Sequence, residues 1–251
     1  MKEFTATVIK NQEIAENVYE LTFRIPEPIP VRAGQFLNIS VGGAHLLRRP
    51  IAICKAEGND VTICYQLRGE GTRLLATAGA GTSLSVLLPL GNGFFIEEAE
   101  QKVALVGGGV GIFPMISVIR AYAGKKDLSA YIGFRNHAAV CGLEELEKAN
   151  KLVVATDDGS YGVKMNAVQA LEADLKKGYR PDVVLSCGPT PMLKALKALC
   201  EREGLTCYVS LEERMGCGIG ACLVCVCNKT NGAHARVCKD GPVFDAREVE
   251  L

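Results

Sequence analysis

The sequence predicts an antiparallel β-barrel followed by a doubly wound parallel α/β sheet, with a cysteine-rich segment after them. Three observations predict this. The first hundred or so residues hold short strand-like runs separated by turn residues. From residue 102 apolar strands alternate with helical patterns. Five of the eleven cysteines then crowd between positions 217 and 238. The divisions expected are 1–98, 99–208 and 209–251.

In the first division, residues 4–9, 18–23, 36–41 and 61–67 are rich in β-branched and aromatic residues, with Pro, Gly and Asn between them. Such even punctuation suits an antiparallel barrel. It ends at Pro89-Leu90-Gly91-Asn92-Gly93 and the acidic link Glu97-Glu98-Ala99-Glu100. Residues 103–106 then form an apolar strand, followed by a glycine turn and a helix over 114–122. Further strands are expected at 130–134, 152–155 and 183–186, and a helix at 191–200. Strands alternating with helices make a doubly wound sheet. The tail shows little periodicity, so something other than an apolar core is expected to organise it.

Length and charge bound the function. With 251 residues and about 150 per domain, the chain makes one large domain or two modest ones. Its 28 basic and 28 acidic residues give zero net charge, which argues against nucleic acid or an anionic membrane as partner. The uncharged stretch 103–119 carries three consecutive glycines and Pro114, and a nucleotide-binding turn explains them better than lipid. An odd cysteine count cannot pair completely, and Met1-Lys2-Glu3-Phe4-Thr5 shows no secretory pattern. A reducing, cytoplasmic setting with some cysteines kept as thiolates is expected.

Cys217, Cys222 and Cys225 are spaced C-x4-C-x2-C, and Cys238 follows after twelve residues. This is the plant-ferredoxin spacing for a [2Fe–2S] cluster. Gly216, Gly218 and Gly220 let a loop wrap tightly and bring amides to the sulfurs. Zinc or buried structural thiols are the alternatives. Structural zinc favours two C-x2-C-like pairs, whereas here three ligands share one glycine-rich loop. Cys227 sits too close to Cys225 to belong to the pattern.

Two further motifs suit dinucleotides. In Arg48-Arg49-Pro50-Ile51-Ala52 an arginine can grip a pyrophosphate. Gly69-Glu70-Gly71-Thr72 opens a helix whose start is an anion site. The turn Gly107-Gly108-Gly109-Val110-Gly111-Ile112-Phe113-Pro114 fits G-x-G-x-G-x-x-P, and Ser186-Cys187-Gly188-Pro189 ends a strand where open α/β sheets place ligands. A plain turn and a buried small residue are the alternatives. Asp157 and Asp158 suit a ribose hydroxyl or simply a turn, and Arg135 leaves a 2′-phosphate open. His45, His137 and His234 share no ligand spacing.

Together these motifs resemble the ferredoxin–NADP reductase superfamily. The resemblance implies that Arg49, Pro50, Ile51 and Ala52 lie along FAD, with Cys64, Tyr65 and Gln66 beside it and Gly71 and Thr72 on its pyrophosphate. It places Gly109, Gly111, Cys187, Gly188 and Pro189 at the nicotinamide nucleotide. Ile51 stands where that superfamily has an aromatic, and Ala52 where it has a serine. The order of barrel, nucleotide unit and two-iron segment is similar to the electron-transfer subunits of class B, NAD-dependent dihydroorotate dehydrogenases. Leu47 to Ile51, Gly69 to Thr72, Thr156 to Gly162 and Val237 to Phe244 all match that family. It implies a separate FMN-containing catalytic subunit, a heterotetramer of two of each, and NAD as electron acceptor. Other flavin and iron–sulfur complexes of the same architecture (hydrogenase, sulfite reductase, an NADPH-dependent bifurcating enzyme) and a zinc-bearing regulatory module are the alternatives.

Overall fold

Side chains that alternate between core and solvent build the first unit. The structure, a computed structural model, describes residues 1–42 and 45–251. Strands β1 (Lys2–Ala15), β2 (Val18–Arg24), β3 (Phe36–Ile39), β4 (Arg49–Glu57), β5 (Asp60–Gln66) and β6 (Ser83–Leu90) close into a barrel in the order β1-β2-β5-β4-β3-β6. Phe4, Ala6 and Val8, Leu21 and Phe23, Leu37 and Ile39, Val61 and Ile63, and Leu84, Val86 and Leu88 point inward at period two. Helix α1 (Glu70–Ala76) adds Leu75 to that core. Strands β4 and β6 lie outside the four predicted runs. In β4 the strand coincides with the Arg-Pro motif, and in β6 the alternation is complete despite Pro89.

The second unit obeys a different rule, because a parallel sheet is covered on both faces. It runs β7 (Lys102–Gly108), α2 (Ile112–Tyr122), β8 (Asp127–Phe134), α3 (Leu143–Leu146), β9 (Lys151–Thr156), β10 (Val163–Lys164), α4 (Ala167–Lys176), β11 (Val183–Cys187), α5 (Thr190–Glu203) and β12 (Cys207–Ser210). Six residues of β7 and all five of β11 are buried, which is why these strands read as unbroken apolar runs. Helix α2 packs on one face; α4 and α5 pack on the other.

The tail forms a hairpin, β13 (Val226–Asn228) with β14 (His234–Arg236), and a last strand, β15 (Val243–Asp245). The larger sheet has the order β10-β9-β8-β7-β11-β12-β15, with β15 antiparallel to β12. This corrects the expectation of a tail without apolar organisation. Val237, Phe244, Ala246 and Val249 are buried in the core beneath α4 and α5. Short strands of three residues leave no periodic signal to read. The division expected after residue 208 falls inside β12.

Strand order reverses between β7 and β11. Their carboxyl ends lie side by side, Gly107 opposite Cys187. Open α/β sheets hold ligands at such a switch point. Both glycine motifs of this unit therefore meet at one place.

Candidate functional site

The four cysteines come together as two pairs. The hairpin of β13 and β14 sets Cys225 beside Cys238: Val237 N–H donates to the Cys225 carbonyl at 2.8 Å, and Cys238 N–H to Cys225 Sγ at 3.4 Å. Cys217 and Cys222 are joined in the same way, Cys217 N–H donating to Cys222 Sγ at 3.4 Å. The loop 216–222 is wound around these sulfurs by left-handed turns at Gly218 (φ +72°) and Gly220 (φ +83°). Ile219, Ala221 and Cys222 aim their amides at Cys217 Sγ at 3.3 to 3.4 Å, and Gly220 N–H reaches Cys238 Sγ at 3.1 Å.

That donor set favours a thiolate at Cys217. Burial raises the Cys217 thiol, but the surrounding amides and the Cys222 thiol outweigh it and bring it down to about 6. Cys238 is pushed up to about 12 by burial and by the Cys225 thiol against it. Among the described residues no three His, Cys, Asp or Glu side chains converge on a single ion. Two and two is the grouping a two-iron cluster takes, one pair to each iron, so the residues fit that group. Arg236 steadies the loop: it donates to the Gly220 carbonyl at 3.2 Å while paired with Asp240 at 3.0 Å. Cys227 is buried nearby and faces none of the four sulfurs through a hydrogen bond.

A cavity of about 300 Å³ lies against the barrel. Arg49, Pro50, Ile51, Ala52, Cys64, Tyr65, Gln66 and Thr72 border it. Gly71 does not border it; a Cβ there would run into the Arg49 guanidinium, so the arginine lies directly over that glycine. Thr72 Oγ1 accepts from Gly69 N–H at 3.2 Å and Arg68 N–H at 3.0 Å, holding the turn. The ring of Tyr65 belongs to the barrel core and its hydroxyl donates to Asn11 Oδ1 at 3.1 Å. Burial pushes that phenol up to about 12. An arginine clamped over a bare glycine turn, with an apolar wall beside it, fits a dinucleotide flavin.

A second cavity, about 620 Å³, opens at the switch point. Gly109, Gly111, Gly188 and Pro189 border it, together with Arg135 and Asp157. Cys187 borders the barrel-side cavity instead, and burial, the charge of Glu212 and the opposing Ser210 leave its thiol at about 12. Asp158 is occupied by Ser160, whose N–H and hydroxyl both donate to it. The two cavities share Gln66, Arg68, Val110, Phe113, Leu211, Glu212 and Glu213 as walls. Sequence reasoning missed Arg68, Phe113, Glu212 and Glu213. The charged run Glu212-Glu213-Arg214 directly before the cluster loop was the available signal.

A flavin-type barrel, a switch-point nucleotide site and a thiolate loop define a reductase of the ferredoxin–NADP reductase type with an iron–sulfur segment. Comparison with known proteins agrees. Residues 212–250 match the iron–sulfur cluster binding domain of dihydroorotate dehydrogenase B, and residues 105–198 match an oxidoreductase NAD-binding domain. The chain is 42% identical to the dihydroorotate dehydrogenase B (NAD(+)) electron transfer subunit of Bacillus pumilus, over all of this chain and 99% of the relative. It is 40% identical to that of Caldanaerobacter subterraneus subsp. tengcongensis over 97% of each. Among solved structures, an NADH-dependent reduced ferredoxin-NADP oxidoreductase studied for flavin-based electron bifurcation superposes with TM-score 0.86 at 26% identity, over 98% of this chain and 89% of that one. The cytochrome b5 reductase domain of Ulva prolifera nitrate reductase shares the fold at TM-score 0.68 and 18% identity, covering 81% and 94%. The chain belongs to the family of dihydroorotate dehydrogenase B (NAD(+)) electron transfer subunits.

Proposed function

We propose that this chain carries electrons from an FMN-containing catalytic subunit that oxidises dihydroorotate, through a [2Fe–2S] cluster and FAD, to NAD+. The observation that carries the reading is continuity: the cluster loop packs on the barrel beside the flavin cavity, and that cavity shares a wall with the nucleotide cavity. When bound, FAD would exchange a hydride with nicotinamide on one side and single electrons with the cluster on the other. Cys217 and Cys222 would hold one iron, and Cys225 and Cys238 the other. Arg49 over Gly71 would receive the flavin pyrophosphate, while Ile51 would give the ring an aliphatic rather than an aromatic neighbour and Ala52 would offer it no hydroxyl. Gly109, Gly111, Gly188 and Pro189 would admit the nucleotide, with Cys187 at the flavin side. No side chain here is required as a general acid or base.

The partner reading rests on the loop itself. Cys222 is exposed, and Ile219, Leu223 and Val224 around it are 42%, 63% and 55% exposed, an apolar rim at the one exposed ligand. We assign it to the catalytic subunit in a heterotetramer of two copies of each. The divisions 1–98, 99–208 and 209–251 are retained as functional units on the same reading. Among the described residues no helix is long and apolar enough to cross a membrane. The relative at 26% identity favours a second reading, a subunit of a bifurcating enzyme.

Purification with native partners separates these readings. A co-purifying FMN protein that reduces NAD+ with dihydroorotate supports the first; a different redox partner supports the second. A colourless, zinc-loaded chain would sink both.

A further inference from the structure

The outer face of β3 carries two neighbours with different surroundings. Phe36 and Asn38 point the same way, about 7 Å apart along the strand, with Ala52 and Pro50 of β4 opposite them in register. Phe36, Pro50 and Ala52 border the flavin cavity. Asn38 reaches the cluster loop instead: its Nδ2 donates to the Cys217 carbonyl at 3.3 Å. Gly218 has no room for a side chain, because a Cβ there would strike that same amide. Among the described residues, no other barrel side chain hydrogen-bonds the loop 216–222.

Asn38 is 0% exposed, yet its Oδ1 has no donor among the described residues. Turning the amide over would set that oxygen against the Cys217 carbonyl, so the bond to Cys217 fixes the orientation. A buried oxygen left without a donor costs stability, a cost that a leucine of similar outline would not carry. Stability alone does not account for asparagine at this position.

Resting on the reading of Cys217 as a cluster ligand and of this face as the flavin wall, we propose that Asn38 is a positioning residue for electron transfer. It pins the Cys217–Gly218 peptide to the barrel and holds the cluster at a fixed separation from the flavin. The peptide it pins belongs to the ligand whose sulfur collects three amide hydrogen bonds, so movement there would disturb the cluster's surroundings as well as its distance.

The test uses Asn38→Leu and Asn38→Ala in the full chain loaded with FAD and iron–sulfur. Both variants should keep flavin, iron and sulfide, and should oxidise NADH with an artificial acceptor at the wild-type rate. Reduction of the cluster after rapid mixing with NADH should be slower than in the wild type, in Asn38→Leu as in Asn38→Ala. The electron paramagnetic resonance lines of the dithionite-reduced cluster should broaden, and amides 217–220 should exchange faster, while Asn38→Leu keeps its Tm. Unchanged cluster reduction and line shape in both variants would overturn the proposal. So would loss of both cofactors from both variants, which would make Asn38 a folding residue. A wild-type chain without flavin, or with a cluster NADH cannot reduce, would instead bring down the functional reading and this proposal with it.

Discussion

Gly111 has an ordinary helical φ of −65°, so space rather than conformation demands a glycine there. A Cβ would collide with the Cys187 carbonyl, which is backbone and cannot turn aside. At Gly188 the nearest atom is the terminal methyl of Met192 at 2.5 Å, the far end of a flexible side chain. Gly111→Ala should therefore cost more than Gly188→Ala, within the roughly 1–3 kcal/mol range of overpacking. Its expected signature is a raised KM for NADH with an artificial acceptor, while flavin and iron content stay at wild-type level. A second expectation concerns Cys222. Cys222→Ser should lose the two-iron visible bands yet still oxidise NADH with an artificial acceptor; full dihydroorotate-dependent NAD+ reduction by the assembled complex would refute the ligand assignment.

At the scale of elements, the tail is tied to the barrel by Asn92 in the link between the units. Asn92 Nδ2 donates to the Asp240 and Val243 carbonyls at 3.2 and 2.9 Å, and its Oδ1 accepts from Val243 N–H at 3.2 Å. Asn92→Ala should cost about 1–3 kcal/mol by leaving those backbone groups unpaired, and limited proteolysis should then cut first between 209 and 245. How far the sequence foretold such features depends on the physics of each element. The strands of the parallel sheet are apolar on both faces, so their runs stand out, and the cysteine spacing is a chemical signature that needs no fold. β4 was legible only as a motif, and β15 pairs through three residues whose register depends on β12. Asn38, Glu212 and Phe113 reach the site through tertiary packing, which one-dimensional spacing does not encode.

For the whole molecule, the two units are clamped by charge as well as by apolar contact. Glu145, from α3, receives Arg120 of α2 at 2.8 Å, Lys148 at 2.8 Å and Lys55 of the barrel at 3.3 Å. Arg120 also pairs with Glu57 of the barrel. Burial raises the Glu145 carboxyl, but Lys148, Arg120 and Lys55 outweigh it and hold it at about 2. A carboxyl depressed on folding adds stability that is full above its unfolded value near 4.5 and is lost as pH falls towards 2. Glu145→Gln should remove on the order of 2 kcal/mol at neutral pH, and should flatten the fall in Tm between about pH 4.5 and 2.

The position of β15 has a bearing on how a cell would handle this chain. By lying along β12 it keeps the amides and carbonyls of residues 208–210 from serving as a template for another chain. The same short segment, from Cys238 to Asp245, holds the last cysteine of the proposed cluster set and gives the sheet this cover. A chain whose tail swings away would expose an adhesive border along β12. Weakening that cover would then be read out as clumping of the chain.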